Sequence, residues 1–167
     1  MPRALLSVLA TLALGTPASA ATTTLRQDGI GPLTLGMTRT AALKTGWLSD
    51  RVAGCPLVLP RPVTYSLRGP KAPSGLRGTA EFSSGVLTNV SVTRGAQTAL
   101  GIRPHHNSAL GMVRTYRRAG YTATAEFAPD FGVTFVRIMR GGANRFGAVQ
   151  TGTTLDQISI PSTATCE

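Results

Sequence analysis

Carboxylates are scarce in this chain of 167 residues: seven stand against 17 lysines and arginines. They are Asp28, Asp50, Glu81, Glu126, Asp130, Asp156 and Glu167. Glycosidase-type chemistry needs two of them across one cleft. Only Glu81 and Glu126 are candidates, both expected on strands and on the face opposite their apolar neighbours. Ion pairing with arginine at the surface is the commoner use of such residues. Histidine is scarcer still, with His105 and His106 alone. Neighbours on an extended segment point opposite ways, and no nearby Cys, Asp or Glu completes a metal shell. No metal and no cofactor is therefore called for. The glycine-rich run "RGGANRFG" (140–147) lacks the Lys-Ser/Thr pair of a phosphate-binding loop and any dinucleotide fingerprint; it reads as part of a loop over 141–152. Aromatic residues make up 5% of the chain, so the core is expected to claim most rings. Nucleic-acid binders add exposed rings or a recognised module to their basic charge, which argues against that partner class.

What is present begins with the N-terminus. Arg3 precedes "ALLSVLATLALG", an apolar run of 12 residues, and "TPASA" places small residues at Ala18 and Ala20. This three-part pattern predicts a secretory signal peptide over 1–20, cleaved after Ala20. The run is too short to cross a bilayer, which takes about 20 residues, and no later run approaches that length. Residues 21–167 then form a single domain. In an oxidising compartment Cys55 and Cys166 are expected to pair; two free thiols, or Cys55 as a nucleophile, are the alternatives. Losing Arg3 with the leader leaves 16 basic and 7 acidic residues, a net charge of +9. Only Lys44 and Lys71 are lysine, and arginine suits bidentate contact with phosphate or carboxylate. Composition alone also accounts for this charge, because the basic residues are scattered.

The order of elements predicts an α+β fold, an antiparallel sheet with two short helices on one face. Residues 21–28 read as frayed or edge-like, and 30–35 as a short extended segment. Thr38 is a good N-cap for a helix over 39–45 that Gly46 ends. Residues 48–62 read as a loop. Strands follow at "VTYSLR", "GTAEFS" and "VLTNVSVT", the last two as a hairpin about Ser84-Gly85. The order then recurs. Asn107 or Ser108 caps a helix to about Ala119, with Ala109, Met112, Val113 and Tyr116 on one apolar stripe. "YTATAEF", "FGVTFVRIM" and "LDQISI" follow as strands, the second as the central one. Two degenerate half-repeats, about 29–94 and 99–160, are expected.

The stretch "LTLGMTRTAAL" (33–43) resembles the "GMTR" strand-to-helix segment of the β-lactamase inhibitory protein family, small exported actinobacterial proteins. It is similar, more distantly, to the helix-start motif of small outer-membrane assembly lipoproteins. The resemblance spans about residues 30–43. It implies short helices packed in tandem on an antiparallel sheet, and work done by protein–protein contact rather than catalysis. No binding residue is carried over.

One residue cluster remains. Arg114, Arg117 and Arg118 fall on the polar side of the second helix; with Arg103, His105 and His106 they form a candidate basic binding patch. A solvated helix face is the plainer account of the helical arginines. The expectation is an exported, non-enzymatic binding protein whose partner is a protein or an anionic polymer of the cell envelope. The alternative is a small secreted hydrolase using His105 or His106 as base, with Ser108 as a conceivable nucleophile.

Overall fold

Two capped turns decide where the helices start. At Thr38 the backbone is extended, and the hydroxyl accepts from the Ala41 amide at 3.3 Å, opening α1 (Arg39–Lys44). Ser108 accepts in the same way from Gly111 at 3.1 Å, opening α2 (Ala109–Arg118). Each hydroxyl satisfies one of the amides that a helix start leaves without an intrahelical partner. Both helices stop at a glycine with left-handed backbone, Gly46 at φ +74° and Gly120 at φ +79°.

The computed structural model describes residues 23–53 and 61–163. The expected leader over 1–20, and Cys55 and Cys166 with their expected disulfide, lie outside the described residues. In chain order the strands are β1 (Thr23–Leu25), β2 (Gly29–Ile30), β3 (Leu33–Thr34), β4 (Arg51–Val52), β5 (Val63–Ser66), β6 (Arg77–Ser83), β7 (Val86–Arg94), β8 (Ala96–Thr98), β9 (Thr122–Ala128), β10 (Val133–Arg140), β11 (Ala143–Gln150) and β12 (Gln157–Ile160). Eight of them form one antiparallel sheet in the order β4-β5-β6-β7-β12-β11-β10-β9. The other four form a small sheet, β3-β2-β1-β8, in which β1 and β8 run parallel.

The fold is thus α+β, as the order of elements predicts. Cross-strand register places Ala80, Val90, Ile160, Val92, Ile158, Ala148 and Val136 on one face. Both helices turn their buried residues into the same core, Ala42 from α1 and Met112, Val113 and Tyr116 from α2. Leu25, Ile30 and Leu33 of the small sheet join it, all fully buried. No helix among the described residues is long and apolar enough to cross a membrane.

Several expectations are corrected. Residues 23–25 are a paired strand with Leu25 at its end, not a frayed lead. Part of the expected loop over 48–62 is strand β4. The glycine-rich stretch is a two-residue hairpin, with Gly141 at φ +59° and Gly142 at φ +76°, followed by a strand of eight residues. Positive φ at both positions gives the turn the twist that antiparallel strands require. "FGVTFVRIM" is not central: β10 is next to the edge, and β7 and β12 hold the middle. It pairs with β11 on one side and β9 on the other, and α2 packs against it. The two half-repeats are not confirmed. Residues 29–34 pair in the small sheet, whereas the matching lead into α2 forms no strand beyond β8.

The outer face of the sheet is polar at its centre. Ser91 and Ser159 oppose one another, with hydroxyls 2.7 Å apart, and Ser91 Oγ donates to Asn89 Oδ1 at 3.2 Å. Asn89 Nδ2 donates to the Ser162 carbonyl at 2.7 Å, which holds residues 161–163 across these strands. The crossing needs glycine beneath it, because a Cβ on Gly147 would run into the Thr163 amide. Glu81 lies on this face, between Thr64 and Asn89 in register. Burial pushes its carboxyl above the ordinary 4.5. The folded protein therefore holds that proton more tightly than the unfolded chain, and stability falls as pH rises from about 4.5 upward. Glu81→Gln is expected to stabilise the protein at pH 7 and to match the wild type at pH 4 in urea melts. An equal effect at both pH values would remove the charge as its cause.

Candidate functional site

The lead into α2 presents its polar residues by sinking its apolar ones. Ile102 and Pro104 are buried, while Arg103, His105 and His106 between and after them are exposed. The backbone turns here rather than extending. Asn107 Oδ1 accepts from Arg103 N at 2.8 Å, Leu155 O accepts from His105 N at 2.7 Å, and His105 takes φ +61°. Asn107 serves this turn and Ser108 the helix cap. The expectation that neighbouring histidines point apart on an extended strand is thereby corrected: both line one cleft.

That cleft has a volume of about 390 Å³ and is lined by Arg94, Gly95, Ala96, Arg103, Pro104, His105 and His106. Arg94 comes from the end of β7 and Ala96 from β8, which is tied to β1 through parallel pairing. Gln97 on β8 fixes one wall, its Oε1 accepting from Arg103 Nε at 2.7 Å. Two guanidinium groups and two imidazoles thus meet around one hollow, with no carboxylate in its lining. An anion held between the two guanidinium groups would be attracted by both. Arg94 lies nine positions before Arg103 and is separated from it by two strand ends; no local spacing connects them.

The candidate patch divides. Arg103, His105 and His106 are brought together, but Arg114, Arg117 and Arg118 do not line the cleft. They are exposed on α2, and Arg117 Nε donates to the Ala123 carbonyl of β9 at 2.8 Å. Glu81 and Glu126 do not meet either: five strand steps separate β6 from β9, about 24 Å at roughly 4.8 Å per step. Neither pairs with arginine; the one ion pair among the described residues is Arg26–Asp28 at 3.1 Å. Among those residues no three His, Cys, Asp or Glu side chains cluster.

A second hollow of about 480 Å³ lies on the outer face, where Phe131, Phe135, Arg137, Asn144 and Thr163 line it together with Glu126. Most rings serve the core, as expected: Phe82, Tyr116 and Phe146 lie in it, and Trp47, Tyr65 and Tyr121 pack against it. Beside this hollow, however, Phe127 is 62% and Phe131 71% exposed.

No family model, curated protein or solved structure matches this chain.

Proposed function

We propose that the protein is an exported, non-enzymatic binding protein, and that the cleft of Arg94, Arg103, His105 and His106 holds an anionic group of its partner. One observation carries this reading: four basic residues, drawn from two separate segments, line one hollow whose lining holds no acid. Arginine forks match phosphate and carboxylate oxygens two at a time. The leader pattern over 1–20 supports export, and a net charge of +9 after its removal suits an anionic polymer of the cell envelope. A hydrolase built on His105 or His106 gains no support from the cleft, where arginines take the place of an orienting carboxylate and the Ser108 hydroxyl is engaged at the start of α2.

Residues 21–167 are expected to sediment with phosphate-bearing cell-wall polymer and with inorganic polyphosphate, and to be released as salt is raised. Arg94→Ala with Arg103→Ala is expected to weaken retention by about tenfold or more, because each charge-assisted contact is worth about 1.5–3 kcal/mol. An acidic protein as the true partner would show as capture by a poly-glutamate resin without retention by the polyphosphate. Retention unchanged in the double variant would rule out the cleft.

A further inference from the structure

The eight-stranded sheet ends on one side in β4, two residues long, and on the other in β9, seven residues long. Sheets usually shield a long edge with lysine, proline, a bulge or a covering segment, because its unpaired amides and carbonyls accept another strand. β9 reads Thr-Ala-Thr-Ala-Glu-Phe-Ala, with neither lysine nor proline, and its register with β10 is unbroken from Thr122 to Ala128. Arg117 closes one position by taking the Ala123 carbonyl. In an antiparallel pair alternate residues direct both backbone groups away from the partner strand. The reach of Arg117 to Ala123 puts Ala123, Ala125 and Phe127 in that outward set. No hydrogen bond from outside the sheet reaches Ala125 or Phe127 among the described residues.

The surroundings of the edge are specific. Phe127 stands on β9 and Phe131 in the turn after it, both largely exposed, in a chain holding only five phenylalanines. Exposed rings beside an open edge are what an interface anchor requires. Leu110, 67% exposed, lies in the first turn of α2. That turn is tied over this end of the sheet: Ala109 N donates to Gln150 Oε1, Gln150 pairs with Thr134, and Thr134 with Phe127. The remaining charge is unbalanced. Arg114, Arg117 and Arg118 are exposed on α2, and Arg137 and Arg140 on β10, against Glu126 and Asp130. The outer hollow opens beside Glu126 and Ala128 of the same strand.

We infer that β9 is a docking edge, and that it adds a strand from a partner protein: an extended, acidic segment carrying an apolar residue for Phe127 and Phe131. Backbone pairing supplies affinity in such additions, and the flanking side chains supply selection. The arginines of α2 and β10 select for acid. This surface is separate from the cleft of Arg94 and Arg103, and the inference stands whether or not that cleft binds an anion.

The test uses residues 21–167 and a fluorescein-labelled peptide of three Thr-Glu-Val-Glu repeats, capped at both ends. Saturable binding by anisotropy is expected, with slowed amide exchange at Ala125 and Phe127 in heteronuclear NMR. Arg114→Glu with Arg118→Glu is expected to weaken binding at least tenfold, as is Phe127→Asp; both changes are at exposed positions, and circular dichroism checks the fold. Arg94→Ala with Arg103→Ala is expected to leave peptide binding unchanged. Equal affinity for a peptide with proline in place of each threonine would overturn strand addition. So would amide protection confined to the His105 cleft, or peptide-independent pairing of two copies through β9.

Discussion

Tyr116→Ala is expected to lower the unfolding free energy by about 3–5 kcal/mol, the range found for emptying an aromatic site in a core. Tyr116 is 1% exposed. Its ring meets Tyr121 edge-on at 5.1 Å and tilts against Phe146 at 5.4 Å. The first contact fastens α2 to the lead into β9, and the second fastens it to β11. Met112, Val113 and Tyr116 are the side chains by which α2 covers this half of the sheet, so a cavity there loosens the helix as well as the core. Urea denaturation measures the loss; a change below about 1 kcal/mol, the level of an ordinary surface substitution, would mean that the helix is held by something else. Tyr116→Phe separates the ring from its hydroxyl. Burial pushes the Tyr116 phenol from 10.0 up to about 12, opposed by a hydrogen bond with Thr98 and reinforced by Tyr121. The folded form keeps this proton after the unfolded chain has lost it, so the contribution of Tyr116 to stability is full below pH 10 and declines as pH climbs from 10 toward 12. In Tyr116→Phe that part of the alkaline slope is expected to vanish.

Joining Cys55 to Cys166 is the second large effect. We propose that the two are bonded in the mature protein. The link would close about 110 residues, and chain entropy gives such a loop an upper value of about 4–5 kcal/mol. The expected export to an oxidising compartment carries this proposal. Among the described residues the tail is held as far as Thr163, where Asn89 takes the Ser162 carbonyl and Thr163 rests on Gly147. Reduction, or Cys55→Ser with Cys166→Ser, is expected to lower the melting temperature sharply, and the intact mass before reduction is expected to be short by two hydrogens. Free alkylation of both thiols without reductant would dispose of the bond.

How much of this was readable depends on the range over which each feature is decided. Thr38, Gly46, Ser108 and Gly120 act within one helical turn, and their roles follow from the local sequence. The hairpin at Ser84-Gly85 is local in the same sense, and it forms. Gly141-Gly142 is equally local, but a glycine-rich run reads as loop even where two of its members make a tight turn. Strand order is decided by pairing across the chain, and no pattern within "FGVTFVRIM" states which neighbours it has. The candidate site divides along the same line. Arg103, His105 and His106 are grouped by sequence, whereas Arg94 reaches them only because β8 folds back beside β1. The exposure of Phe127 was hidden by its alternation with Ala123 and Ala125: the same alternation continues past the point where α2 stops covering the strand.

Among the described strands β12 comes last in chain order, yet it sits between β7 and β11. Residues 157–160 must therefore be in place before the two groups of strands can meet, and until then each group carries an unpaired inner border. Shortened products ending before residue 157 would therefore be left with two such borders, prone to clumping and open to proteases.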